Sequence, residues 1–191
     1  MIDTIKEIDQ KLFLFLNSFH SEFFDSIMWF ISGKFEWIPL YLLLVFLLVK
    51  KFKQNIWIVL LGIVLLITLA DQISVKLFKE VFERYRPCHN LEFGHLVHIV
   101  NNKCGGQFGF VSSHASNSFA IATFIALLLR NNYRLIFPLL LFWATLVSYS
   151  RVYLGVHYPA DILGGALLGA AIAFFMFFIL RKVPKLKMYA I

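Results

Sequence analysis

The sequence predicts an all-α fold: a polytopic transmembrane helix bundle of about five to six membrane helices plus an N-terminal amphipathic helix. Three observations predict it. Hydrophobic residues make up 60% of the 191 residues and charged ones only 15%, against about 25% charged in a soluble domain. The apolar residues come in runs such as WIPLYLLLVFLLV and IWIVLLGIVLLITLA, close to the roughly 20 residues a helix needs to cross a hydrocarbon core of about 30 Å. The runs are continuous rather than alternating. Lipid admits only helices or closed barrels, and a barrel needs alternation.

Residues 1–20 come first. Ile2, Ile5, Ile8, Leu12 and Leu16 recur close to helical spacing, with Lys6, Glu7, Asp9 and Lys11 off that stripe, the pattern of an interfacial helix. No small-residue cleavage site follows, so this reads as a helix packed on the bundle rather than a signal peptide. The stretch 23–32 (FFDSIMWFIS) either spans or lies in the interface, because Gly33, Lys34 and Glu36 cut it off from the next run. Spans are expected at about 35–50, 55–78, 114–130, 133–150 and 158–181, with a polar segment at 79–112. No repeat or linker divides the chain, so residues 1–191 read as one membrane-embedded domain.

The net charge of +7 points to membrane topology rather than to nucleic acid. The connections KKFK (50–53), RNNYR (130–134) and RKVPKLK (181–187) hold nine of the eighteen basic residues and fall on one face if the spans are as drawn. Short-loop Lys and Arg mark the cytoplasmic face. The segment 79–112 and the turn 151–157 then face the periplasm. There Lys79, Arg84, Arg86 and Arg151 break the charge preference, and charge at such a place asks for a functional reason.

Three polar clusters share that face. In KEVFERYRP, Lys79 and Arg86 are seven residues apart, two helical turns, and can share one side of a helix. In VSSHASNS, Ser112 or Ser113 suits a helix N-cap, and the free N–H groups behind it suit an anion. His114 in the first turn can donate a proton to a leaving group. In SRVYLGVHYPAD, Pro159 suits the first helical turn. Asp161 can then reach back to His157, fix its tautomer and leave the other nitrogen nucleophilic. Arg151 offers a planar fork to an oxyanion. A snorkelling cation or a satisfied interfacial histidine explains any one of these residues, but not three clusters converging on one face. The inventory suits phosphoryl transfer through a phosphohistidine. It lacks the carboxylate cluster that holds Mg²⁺, so neither metal nor cofactor is expected.

KEVFERYRP, SSH and SRVYLGVHYPAD resemble the KxxxxxxRP, PSGH and SRxxxxxHxxxD signatures of the type 2 phosphatidic acid phosphatase superfamily. The first and third match at every defined position. In the second, Val111 stands for the proline and Ser113 for the glycine, which permits φ > 0 where serine resists it. The resemblance implies a roughly six-helix membrane fold and metal-independent dephosphorylation of a lipid. It implies His157 as nucleophile, Asp161 as its orienting partner and His114 as general acid, with Lys79, Arg86, Ser112 and Arg151 on the phosphate. By likeness to small bacterial members, the expected substrate is undecaprenyl diphosphate. Lipid A (1- or 4'-phosphate), phosphatidylglycerol phosphate and phosphatidic acid are the alternatives, with transfer to another lipid as a second reaction. A channel or non-catalytic lipid-binding protein is the reading from another class. The expected location is the inner membrane.

Several residues stay open. Cys88 and Cys104 read as a disulfide bracing 79–112 if that face is oxidising, a closure of about 3 kcal/mol, or as two free thiols. A zinc site from Cys88, His89, His95, His98 and Cys104 fits no tight spacing and ranks last. The three histidines can instead line an entrance for the headgroup. Asp71 reads as a polar contact with Lys76 or a serine. Gly165 and Gly169 read as close helix packing within the monomer. Oligomeric state is not legible.

Overall fold

The computed structural model describes residues 2–189; Met1, Ala190 and Ile191, which the expected domain of 1–191 includes, lie outside the described residues. The helices are α1 (Ile2–Asn17), α2 (Glu22–Ser32), α3 (Ile38–Phe52), α4 (Ile56–Ile73), a short α5 (Glu80–Phe82), α6 (Ser113–Leu129), α7 (Ile136–Tyr153) and α8 (Pro159–Arg181). A π-helical stretch, Ser74–Lys79, carries α4 into α5. Among the described residues, three stretches are long and apolar enough to cross a membrane: 38–82, which contains α3 and α4, then 136–153 and 159–181; Ser113–Leu129 is a shorter apolar helix. Each expected span coincides with a helix to within a few residues. The stretch 23–32 is helical, but 11 residues rise only about 16 Å, too little to cross the core.

α6 is the axis of the bundle. Its sequence alternates small residues with branched ones, and nearly every residue from Ala115 to Leu129 is buried or half-buried. Phe124 and Leu128 meet Val59 and Leu66 of α4, Trp143 of α7 and Met176 and Phe177 of α8 in one apolar cluster. The opposite faces of α3, α4, α7 and α8 expose Phe46, Val64, Phe142, Leu167 and Phe175, the surface a bundle in lipid presents outward.

α6 and α8 approach most closely, and small residues permit it. A Cβ built on Gly165 would lie 2.6 Å from the Ser112 carbonyl oxygen, and one on Gly169 would run into the Ser116 carbonyl. The basic connections meet at one end of the bundle. Lys51 donates to the Leu128 carbonyl (2.7 Å) and Asn55 to the Lys185 carbonyl (3.2 Å). The three motif segments gather at the other end.

α1 packs on the bundle by the face that carries Asp9, Phe13 and Asn17. Ile5, Ile8 and Leu12 are exposed, while Asp9, Phe13 and Asn17 are buried. Asn17 explains the choice. Its amide donates to the Tyr153 carbonyl (2.8 Å) and accepts from the His98 N–H (2.8 Å). Phe13 sets its ring edge-on to Tyr158 at 5.4 Å. The aliphatic stripe is left for lipid, and the face that looked polar holds α1 to the protein.

Gly169→Ala is expected to destabilise by about 1–3 kcal/mol, the range for overpacking. Gly106→Ala, whose added methyl meets nothing within 4 Å, should stay within about 0.5 kcal/mol. Thermal unfolding of the purified protein in detergent separates the two; equal midpoints would contradict the close approach.

Candidate active site

Pro159 opens α8, and the sequence before it folds back on the helix start. The Asp161 carboxylate Oδ2 accepts from the Tyr158 N–H (3.0 Å), the acidic half of a capping box. The same oxygen lies 3.3 Å from His157 Nδ1. Both side chains are almost wholly buried. An ionised Asp161 makes Nδ1 the protonated nitrogen and leaves Nε2 with a free lone pair. His157 lies in the connection between α7 and α8, outside the spanning segments. Burial first, and then the charges of Arg86, Arg151, Lys79 and Arg84, hold it well below its ordinary 6.5. The ring is therefore neutral at physiological pH, the form in which an imidazole nitrogen has a lone pair to offer.

Ser112 caps α6, accepting from the Ala115 N–H (3.4 Å), and its own N–H donates to the Asp161 carbonyl (3.0 Å). The starts of α6 and α8 are thus bonded to each other. Ser113, where the resembled signature has glycine, is the first residue of α6 with helical backbone, so no positive φ is needed there. Its hydroxyl accepts from Lys79 Nζ (2.8 Å) and pairs with Ser74 Oγ (2.7 Å). His114, on the next position, lies within electrostatic reach of Arg151, His157, Lys34 and Lys79.

Lys79 and Arg86 do not share one helix face. The helix ends at Phe82, and Glu83 takes a left-handed turn (φ 44°). Arg86 instead comes back through the Tyr85–Phe108 bridge and is held by carbonyls, its Nε donating to Phe108 O (3.2 Å) and its Nη1 to Cys104 O (3.1 Å). Cys88 and Cys104 are joined in a disulfide that closes this loop. Arg151 donates from Nη1 to Ser32 Oγ of α2, while its buried Nε has no partner among the described residues. That unsatisfied donor on a buried guanidinium suits an incoming anion.

Ser32, Gly109 and Arg84 belong to this assembly and were not legible as such. A Cβ on Gly109 would lie 3.1 Å from Arg86 Cγ, 3.2 Å from Asp161 Oδ2 and 3.4 Å from His157 Nδ1. That one glycine therefore touches three motif residues, and GGQFGF was the only trace of it. Arg84 donates to Asp161 Oδ1 (2.8 Å). Of the histidines assigned to an entrance, His98 is committed elsewhere, 2.9 Å from Asp25 and stacked on His20 at 3.8 Å. His89 faces the Gly105 carbonyl (3.3 Å) and His95 is exposed. Among the described residues the one grouping of metal-ligand types is Cys88, His89 and Cys104, and its two sulfurs are bonded to each other. Asp71 meets Ser74 only through its carbonyl (2.8 Å), and its side chain lines a cavity.

That cavity, of about 560 Å³, runs into the bundle between α3, α4, α6 and α7. Ser113, His114, Asn117 and Lys34 supply its polar wall; Trp37, Leu44, Ile63 and Trp143 are among its apolar ones.

The family profile described as "PAP2 superfamily" matches residues 60–185. The lipid A 4'-phosphatase of Bacteroides thetaiotaomicron is 39% identical over 185 residues, 96% of this chain and 81% of that protein. The lipid A 4'-phosphatase of Porphyromonas gingivalis is 33% identical over 92% of this chain and 74% of its own length. The crystal structure of the PAP2-type phosphatidylglycerolphosphate phosphatase of Bacillus subtilis superimposes with a TM-score of 0.74 at 22% identity, covering 94% of this chain and 88% of that one; at that identity the likeness speaks to the fold. With the motif residues drawn to one end of a helical membrane bundle and the profile covering all of them, the chain belongs to the PAP2 superfamily.

Proposed function

We propose that this integral membrane lipid phosphatase removes the 4'-phosphate of lipid A, through a phosphohistidine on His157 and without a metal. The observation that carries the reading is the likeness to two lipid A 4'-phosphatases along more than nine-tenths of this chain. Undecaprenyl diphosphate, the preference from sequence alone, therefore takes second place. The cavity supports a lipid substrate, since its apolar walls begin beside His114 and suit an acyl chain whose headgroup stays among the cations. The basic connections at the far end favour a site on the periplasmic face of the inner membrane.

In this mechanism His157 Nε2 attacks phosphorus in line, and the bond to the sugar oxygen breaks. The departing oxygen takes a proton from His114. Asp161, accepting from Nδ1–H, steadies the positive charge that the ring gains. Water then attacks the phosphohistidine, gives its proton to His114 and releases inorganic phosphate, which returns His157 to its neutral form. Lys79, Arg86 and Arg151, with Ser112 and Ser113 at the start of α6, hold the non-bridging oxygens, where charge must be stabilised.

Purified protein in detergent with excess chelator should release phosphate from lipid A faster than from undecaprenyl diphosphate, phosphatidylglycerol phosphate or phosphatidic acid. Mass spectrometry should locate the loss at the 4' position. His157→Ala should reduce the rate by roughly 10³-fold or more and leave the thermal midpoint near that of the wild type. Loss of the 1-phosphate, or a faster rate on undecaprenyl diphosphate, would reject the substrate. Retained activity in His157→Ala, or dependence on added Mg²⁺, would reject the mechanism.

A second measurement concerns protonation alone. In ¹⁵N-histidine-labelled protein, the resonance that disappears in His157→Ala should keep neutral-imidazole shifts as pH falls through 6.5 and change only well below it. A midpoint at 6.5 would contradict the depressed pKa.

A further inference from the structure

Asp161 has two carboxylate oxygens, and only Oδ2 is used by His157 and the Tyr158 N–H. Oδ1 accepts from Arg84 Nη1 at 2.8 Å. The other arm of the same guanidinium, Nη2, donates to Asp9 Oδ2 at 2.6 Å. Asp9 belongs to α1, and its second oxygen accepts from the Ala160 N–H at 2.9 Å. That N–H lies in the first turn of α8 and has no helical partner of its own. The Arg84 guanidinium also lies over the Tyr158 ring at 3.9 Å, and Phe13 of α1 packs on the same ring. Arg84 occupies an undefined position of KxxxxxxRP, and Asp9 lies outside all three motifs.

We propose that Arg84 and Asp9 are positioning residues, and that the N-terminal helix completes the active site through the chain Asp9–Arg84–Asp161–His157. A carboxylate held at one oxygen can swing about its Cβ–Cγ bond. Arg84 on Oδ1 removes that freedom and aims Oδ2 at Nδ1. Arg84 is a long side chain with many rotamers, and Asp9 together with the Tyr158 ring leaves it one. The guanidinium's positive charge also favours the ionised form of the carboxylate it holds, and Asp161 thereby keeps its charge for His157 to lean on. α1 exposes Ile5, Ile8 and Leu12 on its other side, so its seat on the lipid and the geometry of His157 are connected through the Arg84 side chain.

The proposal rests on His157 being the nucleophile, and the test separates the two. Arg84→Gln and Asp9→Asn are compared with wild type and with the conservative Arg84→Lys. In the absence of substrate, ¹⁵N spectra of labelled protein should give a single Nδ1–H tautomer for His157 in the wild type and a mixture in both variants. This readout needs no knowledge of the lipid. With the phosphate-release assay, kcat should fall by about 100-fold in Arg84→Gln and about tenfold in Asp9→Asn, within the range for groups that orient a site's working side chains, while KM changes by less than about twofold. The double variant should be no worse than Arg84→Gln alone, because the two act in series. Arg84→Lys should retain less activity than Asp9→Asn, since an ammonium cannot span both carboxylates. Unchanged tautomer and kcat in Asp9→Asn, an isosteric change expected to fold, would overturn the proposal, as would losses that multiply in the double variant. A wild type with the single tautomer but no phosphate release would overturn the functional reading and leave the positioning chain standing.

Discussion

A carboxylate with no solvent exposure must have every lone pair answered from within the protein, and Asp161 sets this requirement for the whole end of the bundle. Its side chain takes one backbone N–H, one imidazole and one guanidinium, and its carbonyl takes the N–H of Ser112. Those four partners come from the α7–α8 connection, the segment after α5, and the start of α6. Satisfying one buried acid therefore draws together all three motif segments. The capping-box geometry fixes where the acid sits, and burial makes its partners obligatory. The cations that surround His157 owe their place to the same convergence.

The helices were legible because hydrocarbon leaves so little choice. A run of apolar residues long enough to cross must be helical, and Pro159 and Ser112 mark their helix starts by ordinary capping chemistry. α2 was ambiguous for a physical reason: its composition matches a span, and only its length, fixed by Gly33 and the turn after it, decides against one. The N-terminal helix was legible as amphipathic, but which of its faces meets the protein was not. Periodicity finds the larger apolar stripe, yet in a membrane protein that stripe has two places to go, and here lipid takes it while Asp9, Phe13 and Asn17 take the protein side.

The motif residues were legible by type and spacing, and their supporting contacts were not. Lys79 and Arg86 are two turns apart only if the helix continues, and Glu83 ends it by turning left-handed. Ser32 reaches Arg151 across more than a hundred residues of chain, and Gly109 matters for what it lacks rather than what it carries. Arg84 is one of two arginines in KEVFERYRP; its charge marked it as unusual for that face, but the carboxylates it meets were not legible. Such pairings depend on tertiary geometry, and a single sequence holds no local trace of them. Substrate choice is of the same kind: the cations read as phosphate-binding from sequence, whereas the direction of the cavity beside His114 emerges only from the packed helices.

The near contact of α6 and α8 at Gly165 and Gly169 has a bearing on how a lipid reaches this end of the bundle. His114 rides on one of those helices, and His157 is tied to the first turn of the other. With their backbones this close and the Ser112 N–H bonded to the Asp161 carbonyl, the two helix starts form one continuous wall. Across the cavity stands the α2–α3 corner with Gly33, Lys34 and Trp37, joined to α7 by the Ser32–Arg151 bond and by the Trp37 ring against Trp143. A lipid arriving sideways from the bilayer would therefore find both histidines on the same closely packed side of the bundle, with a lysine and an indole facing His114 across the cavity.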